Sequence, residues 1–237
     1  MARYDKPPVQ IRRIEGDPPQ FANGELSRLA TTYARVFAGD PWNEVSRCQD
    51  GFSPLPVGSP CDDCGDLRQE AYPNDTQVQV ITGELQRPDA ACFVLEDQQI
   101  DEIVGFSWGF SYQDTDEFIQ QKYAGEGERY NVLRRAVRRL LGSYAIGARP
   151  FYYLSETGIV NDPRYRGRGI SKEFVRLRSM VAADRGLDII QRTSLNSPMY
   201  RTMQGAGFTQ IMGENIDEPD VVNPRRVLFI RKNERNT

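Results

Sequence analysis

The chain has 237 residues, with 30 Lys and Arg against 33 Asp and Glu, a net charge of −3 and no histidine. A hydrophobic content of 39% beside 27% charged residues suits a globular protein that buries a core, and the near-balanced charge gives the whole molecule no bias toward nucleic acid. The lack of histidine excludes Ser-His-Asp and Cys-His catalysis, so proton transfer falls to Glu, Asp, Tyr, Cys, Lys or water.

In chain order, the polar stretch Met1 to Pro8 has no signal-peptide core, and no apolar run reaches the roughly 20 residues that span a bilayer. A cytoplasmic location and no membrane partner are therefore expected. Val9 to Ile14, flanked by prolines, reads as an edge strand. Asn23 is placed to cap the next segment. There Leu26, Leu29, Ala30, Tyr33, Val36 and Phe37 form one apolar stripe at helical spacing, and Gly39 can end the helix. The stripe reads as core packing, and Asp40-Pro41-Trp42-Asn43-Glu44 follows as a terminating turn.

Residues 45–75 are rich in Gly, Pro, Asp and Cys and show no periodicity. So long an irregular stretch is expected to be functional, mobile or stapled. It holds Cys48, Cys61 and Cys64, and Cys61-Asp62-Asp63-Cys64-Gly65 resembles a zinc knuckle. Glu44, Asp50 or Asp62 could complete a structural zinc site. Thiols without metal are the other reading, and a reducing cytoplasm disfavours a disulfide.

A helix from about Thr76 to Leu85 follows, although Val78, Val80 and Ile81 would also suit a strand. Ala91 to Glu96 and Ile103 to Tyr112 read as a hairpin whose connection starts at Asp97-Gln98-Gln99. Residues 114–148 read as a helical insert, with Asp114 and Glu117 as a capping pair and a break at Ala124 to Glu128. From Asn131 to Leu141 the helix resumes with Val132, Leu133, Ala136, Val137, Leu140 and Leu141 inward. Arg129, Arg134, Arg135, Arg138 and Arg139 lie on the other side. That face reads as solvated rather than as a surface for nucleic acid or an acidic partner.

Phe151 to Val160 is an aromatic-rich run read as a strand. Arg164-Tyr165-Arg166-Gly167-Arg168-Gly169-Ile170-Ser171 comes next, and Ile170, Phe174, Leu177 and Val181 then recur at helical spacing. The order is strand, glycine turn, helix N-terminus. Two glycines allow a tight turn and close approach of a ligand, and the first N–H groups of the helix favour an anion there. This is the pattern of a phosphate or pyrophosphate cradle. It is not a dinucleotide fingerprint, because Lys172 stands where a third glycine belongs. Nor is it a P-loop, because Ile170-Ser171 follows Gly169. Downstream come Asp188-Ile189-Ile190 and then Asn196 to Gly207-Phe208. A polar, acidic stretch, Gly213 to Asn223, precedes a last buried strand at Arg226 to Ile230, and 232–237 are expected to fray. There is no internal repeat.

The Arg-x-x-Gly-x-Gly turn resembles the acyl-CoA pyrophosphate loop of the GNAT N-acetyltransferase superfamily. Asn196 to Phe208 resembles that family's closing segment, and the two runs at 91–96 and 103–112 resemble its central hairpin. The resemblance covers roughly 91–113 and 151–212. It implies one α/β domain over 1–237, a twisted mixed sheet flanked by helices, elaborated by a cysteine-containing loop at about 40–75 and the helical insert at 114–148. It implies transfer of an acetyl group from acetyl-CoA to a primary amine of a small molecule or peptide by direct attack. Pantetheine would pair with the strand end at Ile159 and Val160, and pyrophosphate would sit at Arg164, Arg166, Gly167, Arg168, Gly169, Ile170 and Ser171. Asn196 would offer its amide to pantetheine, and Glu156 is the candidate base. The family's usual acid is a Tyr five residues before the final Phe. Here that position is Met203, which cannot donate a proton, so Tyr200, one turn back, is the candidate acid. Trp42, Asn43 and Glu44, with Trp108 and Tyr112, are the expected acceptor contacts, in a monomer or homodimer. Two alternatives stand beside this: a non-catalytic acyl-CoA sensor, and an interaction module built on the cysteine loop and the arginine helix.

Overall fold

The computed structural model describes residues 7–49, 51–123, 130–146, 149–211 and 226–233. Asp50, the helix break at Ala124 to Glu128, Arg129, the side chains of Val132 and Leu133, the acidic stretch Gly213 to Asn223 and the last four residues lie outside them. In chain order the elements are β1 (Val9–Ile14), α1 (Glu25–Phe37), β2 (Ser46–Cys48), β3 (Gly51–Ser53), β4 (Gln69–Glu70), α2 (Asn74–Leu85), β5 (Ala91–Asp97), β6 (Glu102–Tyr112), α3 (Thr115–Tyr123) and α4 (Tyr130–Ser143). Then follow β7 (Phe151–Ile159), α5 (Ile170–Asp184), β8 (Asp188–Ser194), α6 (Pro198–Gly205), β9 (Thr209–Ile211) and β10 (Arg226–Arg231).

Seven strands form one mixed sheet in the order β1-β5-β6-β7-β8-β10-β9. β1 lies at its edge, antiparallel to β5 from Val9↔Asp97 to Ile14↔Cys92, where flanking prolines cost no ladder bond. β7 runs parallel to β8 from Phe151↔Asp188 to Tyr153↔Ile190, and then continues to Ile159. β10 is antiparallel to both β8 and β9. The mixed sheet with flanking helices expected from the sequence is the one observed.

The chain forms two compact units, Met1–Gln86 with Ala91–Trp108 and Glu156–Ile170, and Arg87–Ala90 with Gly109–Ser155 and Ser171–Thr237. In the first, the α1 stripe buries Leu29, Ala30, Tyr33, Val36 and Phe37. At roughly 1.5–3 kcal/mol for each large side chain, this stripe is what holds the helix down. The expected cap differs: Gly24, with φ 75°, takes the N-cap position and makes no side-chain bond. Asn23 stands one residue too early. Glu25 serves the helix start instead, its carboxylate accepting from the Ala22 N–H at 2.9 Å. Gly158 lets α1 approach the sheet, because a Cβ there would stand 2.6 Å from the Phe106 ring and 2.7 Å from Val36. The stretch 45–75 carries order that periodicity does not reveal: a second sheet, β3-β2-β4, with strands of two or three residues.

The second unit packs Tyr152, Leu154, Val175, Ala182, Ile189, Met199, Met203, Phe208, Val227 and Phe229 into one core. The expected capping pair on α3 forms. The Glu117 N–H donates to Asp114 Oδ1 and the Gln113 N–H to Glu117 Oε2, each at 2.8 Å. On α4, Val137 and Leu141 are buried, while Arg138 and Arg134 lie outward and pair with Asp116.

Candidate active site

The glycine turn has the form expected of it. Gly167 and Gly169 adopt φ 67° and 72°, and Ile170 opens a 15-residue helix directly after them. A Cβ added at either glycine would meet nothing within 4 Å, so the turn shows bare backbone outward. Its anchor is Tyr165, which sequence reasoning passed over. That ring is buried, and its hydroxyl donates to the buried Asp97 Oδ2 at 2.7 Å. Burial first, and then the bond to Asp97, push the phenol up to about 12. The arginines are partly committed to the chain. Arg164 donates to Asp162 through Nε and Nη2 at 2.9 and 2.8 Å, Arg166 donates to Asn161, and Arg168 donates to the Pro7 carbonyl at 2.7 Å. The pair with Arg164 holds the Asp162 carboxyl below its ordinary range. Ser171, the second residue of α5, is half-buried. Among the strand-end residues, the Val160 N–H donates to the Val104 carbonyl at 2.9 Å, and its carbonyl accepts from Asp162 at 2.7 Å. Val160 thus gives its backbone donor to β6, and Ile159 is the half-buried residue before it.

The first unit also gathers aromatic rings and carboxylates around Tyr33. The rings of Phe37, Tyr72, Phe106 and Trp108 lie 4.4, 5.2, 5.4 and 6.0 Å from it, and Trp42 lies 5.5 Å from Phe37. Trp108 donates its indole N–H to Glu84 Oε2 at 2.7 Å, and Tyr72 donates to Glu44. Burial pushes the Tyr33 phenol well above its usual range, and the charges of Glu156, Glu84 and Glu44 push it the same way. Glu156 is half-buried on β7. The charges of three carboxylates thus bear on one buried phenol within the aromatic cluster. Only Glu44 and Glu156 were singled out from the sequence. Glu84, Tyr33 and Tyr72 read there as ordinary helix or loop residues. Asn43 is exposed with φ 54° in the turn after α1, and Trp42 is half-buried. Trp108, at 1% exposure, has no surface to give an acceptor as it stands.

In the second unit Tyr112 is wholly enclosed among Phe118, Phe151 and Tyr153, at ring distances of 5.3 to 5.8 Å. It too offers an acceptor no surface. Asn196 is exposed just before Ser197, whose hydroxyl caps α6 by accepting from the Met199 N–H at 3.1 Å. Met203 is fully buried in the core. Tyr200 is half-buried over the Phe229 ring at 5.5 Å, and its hydroxyl donates to Gln210 Oε1 at 2.7 Å.

The three loop cysteines come together. Their Sγ atoms all lie within 4.8 Å of one another, whereas no carboxylate of the described residues joins the group, Glu44 and Asp62 included. None of the four cysteines is in a disulfide. Hydrogen bonds from the Cys64 and Asp63 N–H groups hold the Cys61 thiol below its ordinary range.

No family model matches the chain, and no curated protein is similar to it in sequence. Solved structures are similar in fold. A mosquito arylalkylamine N-acetyltransferase-like 5b superposes with TM-score 0.57 at 13% identity, over 94% of this chain and 99% of that one. An agmatine N-acetyltransferase gives 0.56 at 15%, over 96% and 99%. The Drosophila melanogaster polyamine N-acetyltransferase gives 0.55 at 16%, over 94% and 100%. The chain has the fold of the GNAT N-acetyltransferases. Among the described residues, no helix is long and apolar enough to cross a membrane.

Proposed function

We propose that this chain transfers the acetyl group of acetyl-CoA to the amine of a small cationic acceptor. The observation that carries the reading is the two-glycine turn at φ 67° and 72° leading from β7 into the N-terminus of α5. It presents open backbone N–H groups and the positive end of a helix dipole, which is what a pyrophosphate requires. In this reading Arg164, Arg166, Gly167, Arg168, Gly169, Ile170 and Ser171 hold the pyrophosphate. Pantetheine lies along the stretch of β7 beyond its ladder with β8, which ends at Ile159 just before Val160, and Asn196 offers it an amide.

The acceptor class follows from Glu44, Glu84 and Glu156, whose charges converge on the aromatic cluster around Tyr33. Carboxylates and ring faces both attract an ammonium group. The fold neighbours lend support, since arylalkylamines, polyamines and agmatine are amines protonated at neutral pH. Trp42 and Asn43 border the same segment as Glu44. The chemistry then needs few parts. A neutral amine nitrogen attacks the thioester carbonyl, a C–N bond forms, and the C–S bond breaks. The proton lost by nitrogen passes to Glu156, directly or through water. The departing CoA thiolate gains one, for which Tyr200 is the candidate donor in place of Met203.

Thiol release from acetyl-CoA against a panel of amines tests the reading, with fastest turnover expected for acceptors that carry a second positive charge. Binding of CoA without turnover on any amine would make the protein a sensor, and no CoA binding would end the reading. In Gly169→Val the new Cβ itself meets no neighbour, but the φ of 72° strains a β-branched residue and the side chain covers the N–H groups. Losing one or two charge-assisted bonds should weaken acetyl-CoA about 10- to 100-fold by calorimetry.

A further inference from the structure

We propose that Cys48, Cys61 and Cys64 bind one soft divalent metal ion, zinc first among them, and that this ion staples the lobe formed by residues 45–71. Three thiolates around a tetrahedral ion with bonds of about 2.3 Å stand about 3.8 Å apart. The three sulfurs here lie within 4.8 Å of one another, Cys48 and Cys61 at 3.3 Å. A disulfide would bring that pair to about 2.05 Å.

The backbone is shaped for the purpose. Cys61-Asp62-Asp63-Cys64-Gly65 closes on itself, with the Gly65 N–H on the Cys61 carbonyl and the Cys61 N–H on the Asp66 carbonyl, each at 2.9 Å. Gly65 supplies the φ of 77° that the closure needs. Cys48 arrives from elsewhere, at the end of β2 opposite Gly51 of β3. The triangle is therefore made by folding and not by sequence proximity alone.

Charge and ligand type select the ion. Three thiolates and a divalent cation leave one net negative charge. Arg68 is positioned to cancel it, with Nη1 3.5 Å from Cys48 Sγ and Nη2 3.3 Å from Cys61 Sγ. Three sulfur ligands, with no carboxylate of the described residues in the group, favour zinc over calcium or magnesium. The fourth position falls to water or an incoming ligand. Cys48 lines a hollow of about 590 Å³ with Arg47, Gln49, Asp66, Leu67 and Gln69, which gives an ion a way in. The lobe needs such a staple. Its strands have two or three residues, and Phe52, Leu55, Val57 and Leu67 are 43–66% exposed. Its own apolar side chains therefore bury little.

The site stands independently of acetyl transfer. Protein isolated in reducing, chelator-free buffer should carry about one zinc per chain by elemental analysis. Wild-type protein stripped of metal and loaded with cobalt(II) should show the visible bands of a tetrahedral ion and a thiolate charge-transfer band, both lost on adding zinc. Cys48→Ser and Cys64→Ser should each lower metal content at least tenfold, while Cys92→Ala, outside the cluster, should keep it. The cobalt experiment uses the wild-type chain, so it decides the matter even if a variant fails to fold. Well under one zinc per chain with no tetrahedral cobalt spectrum would overturn the proposal. So would full metal content in both cysteine variants, or a Cys48–Cys61 disulfide in metal-free protein isolated without reductant.

Discussion

The Tyr33 hydroxyl sits in the α1 stripe, and its raised pKa, caused by burial and by the charges of Glu156, Glu84 and Glu44, keeps it protonated at any working pH. It is a neutral polar group on which the charges of three carboxylates bear, so a cation binding beside it meets no competing positive charge on Tyr33. Glu44→Gln removes one of those charges and leaves the amide able to accept from Tyr72. The Michaelis constant for a cationic amine should rise about tenfold, the scale of one partly solvated charge contact, with that for acetyl-CoA unchanged. The opposite pattern would move Glu44 out of the acceptor site. Tyr200 admits a similar separation. If its hydroxyl protonates the leaving thiolate, Tyr200→Phe lowers the turnover number about 10- to 1,000-fold while acetyl-CoA binds as before. A Phe variant with normal turnover and a stability loss of about 0.5–1.5 kcal/mol would reduce the hydroxyl to its bond with Gln210.

Gly158 and Gly83 show what the elements ask of a residue with no side chain. Gly158→Ala forces a Cβ to 2.6 Å from Phe106 and 2.7 Å from Val36, where α1 meets the strands. Overpacking of this kind costs about 1–3 kcal/mol, readable as a lower denaturation midpoint at constant slope. Gly83 lies inside α2, where a Cβ meets nothing within 4 Å. Gly83→Ala should therefore stabilise by roughly 0.5–1 kcal/mol through helix propensity. Elements with a repeating apolar pattern were legible in the sequence: α1, the β5–β6 hairpin, α5 and its glycine turn, and β10. So was the Asp114–Glu117 cap, whose partners are three residues apart. The β2–β3–β4 sheet was not, because strands of two or three residues carry no period to read. Glycine at position 24 took the cap expected of Asn23 because its φ of 75° suits a residue without a Cβ. Tyr165 and Asp97 are 68 positions apart, and Glu84 joins Trp108 of β6 from α2. Pairings made only by the fold leave no local mark. The cysteine triangle lies between these cases, with Cys61 and Cys64 announced by their spacing and Cys48 brought in by a hairpin.

For the whole molecule, the absence of histidine leaves no side chain with an ordinary pKa between the carboxylates and the thiols. The melting temperature should then be nearly flat from about pH 6 to 7.5. Below that window the depressed carboxyls take over. Burial pushes Glu25 up, but hydrogen bonds from Arg12 and the Ala22 N–H outweigh it and leave the group below its ordinary value. A carboxyl depressed in the folded state stabilises at pH above its unfolded pKa. That contribution is lost as pH falls through the folded value. On the alkaline side, Tyr165, pushed up to about 12, and Cys92, raised by burial, do the reverse. Their stabilisation is complete below their unfolded values and disappears as pH rises. Glu25 is the group to test because Arg12 ties it to β1 and β5 at once, donating also to Glu96 at 3.0 Å through Nε and 2.6 Å through Nη2. Glu25→Gln keeps the shape and removes the charge. At pH 7 it should lower the melting temperature by about 3–10 °C, from roughly 1.5–3 kcal/mol for a charged hydrogen bond in a chain of this size. The gap between wild type and variant should narrow as pH drops and vanish below the folded pKa of Glu25, where the wild-type side chain is neutral as well. Melting curves of the two proteins at intervals from pH 7 to pH 3 make the comparison, and a gap that stays constant over that range would remove Arg12–Glu25 as a source of acid sensitivity.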